Sequence, residues 1–480
     1  MSIRKNTAYN LFGTAVPIAV SLVTIPIYID VVGESRYGVL AIAWLLLGYF
    51  GLFDLGLGRA TAQRIAMLAN GKSEERSETF WTALAMNSAL GLLGALIMWP
   101  VALYFFGNHF SVDAELKPEV LEAVPWLALA VPVATMSGVL SGTLQGLSRF
   151  LELNLISVIG SALLQIAPLS VAVLYGPDLT WLIPATILTR LCVTALLFQR
   201  CYSSILMGHP FKVSRALSGR LLQFGGWVTV SSVIGPMMVI LDRFVIGAQL
   251  GARYVTFYTV PFQLAERTNV IPVALSSAMF PRLAQTGLGE EGKALADKAL
   301  RALATIITPL FLIGIFLIDW FLSFWIGEEF ASEASFVGQI LLLGFWGNAI
   351  ARIPFALLQA AGRPDIVAKS HLAELIPYFL LLYFGLEYFG IAGAAIAFSV
   401  RALADSIILL YWANLLKRSL TFLITPAVLM VIAVTAVSPD RPTWIFISVG
   451  AGLLSVCLYW AFLNIPEELA RLLRKYKLKY

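Results

Sequence analysis

Charge is sparse in this sequence: Asp, Glu, Lys and Arg make up 13% of its 480 residues, against 59% hydrophobic residues. A water-soluble domain of that apolar content would need far more polar surface to cover its core. Soluble classes are thereby excluded, and the mean hydropathy of +0.83 points to an integral membrane protein. Cysteine and histidine are as scarce. Cys192, Cys201 and Cys457 lie in or beside apolar runs at irregular spacing, which excludes a disulfide framework and a zinc site. His109, His209 and His371 stand apart, leaving no His-based metal centre and no Ser-His-Asp triad. No loop is long enough to fold outside the membrane. A membrane polymerase or acyltransferase needs a catalytic loop or an intramembrane His/acid constellation, and the chain offers neither. No cofactor is expected. The net charge of +5 is small for the length and reads as an orientation signal, with no nucleic acid as partner.

What the chain does have is apolar helix. Arg4 and Lys5 precede an apolar run through Val32 that superficially resembles a signal peptide. The run is too long, contains Pro17 and Pro26 and lacks a cleavage site, so it reads as a retained first helix. A bilayer core about 30 Å thick takes roughly 20 apolar residues per crossing. Segments near 8–32, 37–66, 79–106, 121–147, 151–175, 180–206, 221–249, 254–286, 301–324, 334–360, 366–388, 391–415, 420–438 and 443–465 meet that measure. They predict an all-α polytopic membrane protein with about fourteen transmembrane helices. With the N-terminus inside, the cytoplasmic segments collect Arg4 and Lys5, Arg64, Lys72 and Arg76, the Arg200 to Arg220 and Arg282 to Arg301 clusters, and the basic tail. The opposite side holds Arg36, Lys117, Arg253 and Arg441. A wrong helix count would scramble this alternation, so both termini are expected in the cytoplasm.

Helices 1–6 and 7–12 read as two copies in one orientation. Parallel repeats of this kind are a transporter architecture with the substrate path at their interface. The expected organisation is an N-terminal six-helix bundle over 1–206, a cytoplasmic linker over 207–220 and a second six-helix bundle over 221–418. Two extra helices over 419–465 and a basic cytoplasmic tail over 466–480 follow. The tail suits an anionic inner membrane surface.

Ionisable residues within spans cost free energy and mark functional candidates. The segment YGVLAIAWLLLGYFGLFDLGLGRATAQRIAMLA, from Tyr37 to Ala69, interrupts its apolar run with Asp54, Gly58 and Arg59. Gly51, Asp54 and Gly58 share one face of a regular helix, where a neighbour could approach closely, and the segment reads as an inner gate. Arg190 lies about ten residues, roughly 15 Å, into its span, and Arg401 stands at matching depth in the second half. Each costs roughly 2.5–3.5 kcal/mol on insertion scales, which Asp405, four residues beyond Arg401, would partly offset. Facing one cavity, two guanidiniums would receive a phosphate in bidentate fashion. Arg267 joins them as a substrate candidate. Asp405, Glu374 and Glu266 are candidates for ion coupling or counter-charge. Asp242, Arg243 and Arg352 lie nearer helix ends and read as anchors. Asn154, Gln165, Gln263, Asn269, Asn348 and Gln359 offer amides at membrane depth, and Trp44, Trp227 and Trp346 offer faces for sugars. The other reading of all of these is that they satisfy neighbouring helices.

The Tyr37–Ala69 segment, the earlier Pro26-Ile27-Tyr28 followed by Gly33, and LDRFVIG with MFPRLA within 241–284 resemble the bacterial polysaccharide flippases. These are the O-antigen and exopolysaccharide exporters of the multidrug/oligosaccharidyl-lipid/polysaccharide superfamily. The resemblance covers most of the chain and is strongest over 1–70 and 220–285. It implies a multi-pass protein of the bacterial cytoplasmic membrane that flips an undecaprenyl-pyrophosphate-linked oligosaccharide by alternating access, coupled to an ion gradient of H+ or Na+. Membrane lipids and polysaccharide-assembly proteins are the implied partners. Two readings within the superfamily stay open. A multidrug exporter would use acids such as Glu374 or Asp54 for a proton or sodium ion, and a lipid II-type flippase would suit fourteen helices.

Overall fold

The computed structural model describes residues 3–49, 56–68, 73–219, 221, 241–436 and 443–464. Among them the backbone is helical nearly throughout, with no strand. The solvent explains this. A bilayer core offers no water to backbone N–H and C=O groups, so a crossing segment must satisfy them within a helix.

The helices are α1 (Ile3–Val32), α2 (Glu34–Tyr49), α3 (Leu57–Met67), α4 (Ser73–Asn108), α5 (Leu116–Gly146), α6 (Phe150–Tyr175) and α7 (Leu179–Cys201). After a helical stretch at 241–249 come α8 (Ala252–Glu266), α9 (Val270–Thr286), α10 (Glu290–Trp325), α11 (Glu328–Ala360), α12 (Pro364–Trp412), α13 (Leu416–Ala436) and α14 (Thr443–Leu463). Among the described residues, eight helices are long and apolar enough to cross a membrane. One of these, α12, is two arms: Gly390 (φ 56°, ψ −142°) reverses the chain within it. Gly385 and Gly393 meet where the arms fold together, and a Cβ on either would strike the other's backbone.

Two predicted spans depart from a single regular helix. The 37–66 segment divides into α2 and α3, because Gly56 adopts a left-handed conformation (φ 69°, ψ 10°) that a regular helix cannot contain. The 254–286 segment stays helical but tightens between α8 and α9 into a 3₁₀ turn, Arg267–Asn269. Gly51, Asp54 and Trp227, residues 222–240 and the tail over 466–480 lie outside the described residues.

The chain forms two compact units, Met1–Thr256 and Phe257–Tyr480. In the first, α5 packs against α3, α4 and α7, and α6 against α1 and α7. Asn87 and Thr135 clamp α4 to α5: Asn87 Nδ2 donates to the Thr135 carbonyl at 2.9 Å, and Thr135 Oγ1 donates to the Asn87 carbonyl at 3.1 Å. Gly91 permits that approach, since a Cβ there would strike Pro132 and Thr135. Part of the predicted linker lies along α4, where the Ser214 N–H donates to Thr82 Oγ1 at 3.0 Å and Lys212 stands 3.3 Å from Glu78.

In the second unit α11 is the central helix, packed against α9, α10 and α12. It is buried along most of its length. The two extra helices dock on α10. Ser419 of α13 donates to Asp297 at 2.8 Å, Arg301 lies 4.8 Å over the Phe422 ring, and Phe422 packs on Trp460 of α14 at 4.9 Å between centroids.

Candidate functional site

The hairpin at Gly390 determines the chemistry of the second unit. It brings Glu374 on the first arm of α12 opposite Arg401 on the second, Arg401 Nη1 to Glu374 Oε2 being 3.8 Å. His371, one turn before Glu374, lies 3.5 Å from Asp405. Glu374 and Asp405 are both buried. Tyr378 and Phe398 flank the Arg401 guanidinium, their ring centroids 5.8 Å and 5.7 Å from Cζ. Asp405 is also near enough to act electrostatically on Arg352 of α11.

This cluster is incompletely satisfied. Both Glu374 oxygens and Asp405 Oδ1 are buried with no hydrogen-bond donor, and Arg352 Nε is buried with no acceptor. Burying ionised groups costs several kcal/mol each unless charge pairing and hydrogen bonds offset it. Two acids, two guanidiniums and an imidazole held this way can exchange partners when a proton or a further ion arrives. Arg401 meets Glu374 across the arms, while Asp405, expected to balance it along one helix face, lies against His371.

In the first unit, Arg190 sits on α7, part-buried, with Nε buried and unbonded. Among the described residues none forms a salt bridge with it. Its own carbonyl accepts from Thr194 Oγ1 at 2.8 Å, and Thr194 in turn meets Ser137 of α5 at 2.7 Å. Gly58 is buried in α3 against Gly142 of α5, whose missing side chain leaves room for the Gly58 carbonyl. Arg59 is exposed. Glu266 and Arg267 are exposed at the 3₁₀ turn between α8 and α9.

Several polar candidates serve packing instead. Gln165 accepts from Thr24 at 2.7 Å through its side chain and from Tyr28 at 2.6 Å through its carbonyl, tying α6 to α1. Trp346 is buried and donates to Thr308 at 3.0 Å, so it is no face for a sugar. Trp44 is occupied by Tyr28 and Tyr37, at centroid distances of 5.3 Å and 6.0 Å. Arg352, read from the sequence as an anchor, lines a groove between α9 and α11 together with Gln359. The signal that could have marked it is the polar spacing Ser276-Ser277 on the facing helix.

Helical units with interrupted helices and buried ionisable groups suit a membrane transporter. The fold agrees. A multidrug resistance transporter of the MATE family in its inward-facing conformation superposes with a TM-score of 0.70 at 15% identity, covering 85% of this chain and 99% of that one. The lipid II flippase MurJ in an inward closed conformation superposes at 0.69 and 15% identity, covering 94% and 97%. Residues 31–335 match the family described as polysaccharide biosynthesis protein. A Shigella flexneri protein named "Putative O-antigen transporter" is 32% identical over 420 residues, which is 85% of this chain and 97% of that protein. The chain belongs to the polysaccharide biosynthesis protein family.

Proposed function

We propose that this protein flips a polyprenyl-pyrophosphate-linked oligosaccharide, an O-antigen or exopolysaccharide repeat unit, from the inner to the outer leaflet of the bacterial cytoplasmic membrane. The observation that carries this reading is the 32% identity to the Shigella flexneri protein across nearly its whole length. The physics supports it. Each unpaired sugar hydroxyl in hydrocarbon costs several kcal/mol, so a glycan headgroup needs a polar path while its polyprenyl tail stays in lipid. The working cycle is alternating access of two parallel six-helix bundles, 1–206 and 221–418, joined by the 207–220 linker. Fourteen spans with both termini in the cytoplasm belong to the same reading, supported by the asymmetry of Lys and Arg.

In this mechanism Arg190, Arg401 and Arg267 receive the pyrophosphate. Arg190 enters the role with an unbonded Nε, and Arg401 with a 3.8 Å contact to Glu374 long enough to exchange. Glu374 and Asp405, with Glu266, carry the coupling H+ or Na+. Neutralising Glu374 releases Arg401 to an anion, and the anion's departure returns Arg401 to Glu374, which links the two movements by charge alone. Asp54, Gly58 and Arg59 form the inner gate, a role supported by the close approach of α3 to α5 at Gly58. Polysaccharide-assembly proteins on either side of the membrane supply and consume the lipid-linked glycan.

A deletion strain tests the translocation: lipid-linked oligosaccharide should accumulate on the cytoplasmic leaflet and disappear on complementation. Arg190→Ala, and Arg401→Ala combined with Glu374→Gln to spare the buried carboxylate, should insert at wild-type levels and stop export. Normal surface polysaccharide from both variants overturns the phosphate-receiving role, and normal export in the deletion strain overturns the translocation.

A further inference from the structure

A groove of about 380 Å³ opens between α9 and α11 within the second unit. Ser276, Ser277 and Phe280 follow one another at helical spacing on α9, and Arg352, Phe355 and Gln359 do the same on α11. A wall carrying a guanidinium, an amide and two hydroxyls is costly against hydrocarbon and suits a water-filled path. The Arg352 guanidinium is steadied over the Phe355 ring, 6.0 Å from its centroid. Its Nε is buried with no hydrogen bond, and none of the described residues forms a salt bridge with it. Ser276 donates its hydroxyl hydrogen to the Val273 carbonyl at 3.0 Å, which leaves its lone pairs for an incoming donor.

We infer that this groove binds one sugar ring that bears an oxyanion. Arg352 meets the oxyanion, the two serines and Gln359 meet ring hydroxyls, and Phe280 and Phe355 cover the apolar face of the ring. The volume stands near the lower end of the about 300–1,000 Å³ typical of small-molecule sites, which fits one sugar and not a whole repeat unit. Depth agrees. Arg352 precedes the end of α11 at Ala360 by eight residues, about 12 Å along the axis, and Ser277 precedes the end of α9 at Thr286 by nine. A headgroup entering from that end meets Gln359 first and Arg352 two turns deeper. The oxyanion has two sources, a carboxylated sugar within the glycan or the phosphate at its lipid-linked end. This inference rests on the translocation reading above for its substrate class.

The test is isothermal titration of the purified full chain in detergent with glucuronic acid, glucose 1-phosphate and glucose. At least one anionic sugar should bind, glucose should bind about tenfold more weakly or less, and Arg352→Gln should cost the anion about tenfold or more. Glucuronic acid as the better ligand identifies the acidic-sugar source, and glucose 1-phosphate the phosphate source. Gln359→Ala, at an exposed position, should weaken both anions and glucose alike, and it carries the test if Arg352→Gln fails to fold. The inference is overturned if neither anion binds, if glucose binds as well as both, or if the folded variants bind like wild type. Those outcomes concern binding alone. A deletion strain with normal export would overturn the translocation reading while the titration stood.

Discussion

The buried pair of Glu374 and Arg401 is open to a double-mutant cycle. At 3.8 Å the two charges attract by about 4 kcal/mol for an effective dielectric of 20. Arg401 is the cationic side chain in contact with Glu374, whose oxygens make no hydrogen bond by geometry, so the carboxylate loses its counter-charge when Arg401 is removed. Replacing Arg401 by Met should therefore cost about 3–5 kcal/mol, because it leaves a buried carboxylate with its principal counter-charge gone. Adding Glu374→Gln removes that orphaned charge, and the double variant should regain most of the loss, to within about 1 kcal/mol of the native protein. Thermal unfolding of the purified variants in one detergent supplies the ranking, with native protein and double variant close together and Arg401→Met well below. The same double variant should remain unable to export glycan, which separates the stability of the pair from its part in transport. If the double variant is as unstable as the sum of its parts, the two side chains act independently and the exchange of partners loses its basis.

Other substitutions test packing and the outer ends of the helices. Gly142→Val places a side chain on the Gly58 backbone, which cannot move aside as a flexible side chain would, and should lower stability by about 1–3 kcal/mol in the same unfolding assay. Gly48→Ala meets nothing within 4 Å and should leave stability unchanged or raise it by up to about 1 kcal/mol. Glu119 accepts from Arg36 at 3.0 Å and 2.6 Å and from the Leu179 N–H at 3.0 Å, so it ties α2 and α7 to α5. Glu119→Gln should cost about 1–2 kcal/mol, a loss that shrinks when native and variant proteins are compared in high salt.

Much of the architecture was legible because membrane proteins write it in one dimension. Apolar length sets the crossings, and the side on which Lys and Arg fall sets their sense, whatever the helices later touch. The family was equally legible, through the Tyr37–Ala69 stretch and the LDRFVIG and MFPRLA patterns. Breaks were harder to see. Gly56 and the Arg267–Asn269 turn interrupt segments whose hydropathy continues through them, since conformation and hydropathy are separate properties of the same residues.

The facing of side chains was not legible at all. A soluble helix marks its buried side with a stripe of apolar residues, but a helix in lipid is apolar all round, so its sequence does not say which side meets a neighbour. Trp346 and Gln359 both lie on α11 and look alike as candidates. One is sealed against Thr308, and the other opens on the groove beside Arg352. Glu374 and Arg401 lie on opposite arms of α12 and meet because Gly390 turns the chain back between them. Composition alone pointed to a chain that crosses a membrane repeatedly, and its residue patterns pointed to the polysaccharide biosynthesis protein family. Only the tertiary structure decided which charges face one another, because that depends on where helices break, reverse and approach.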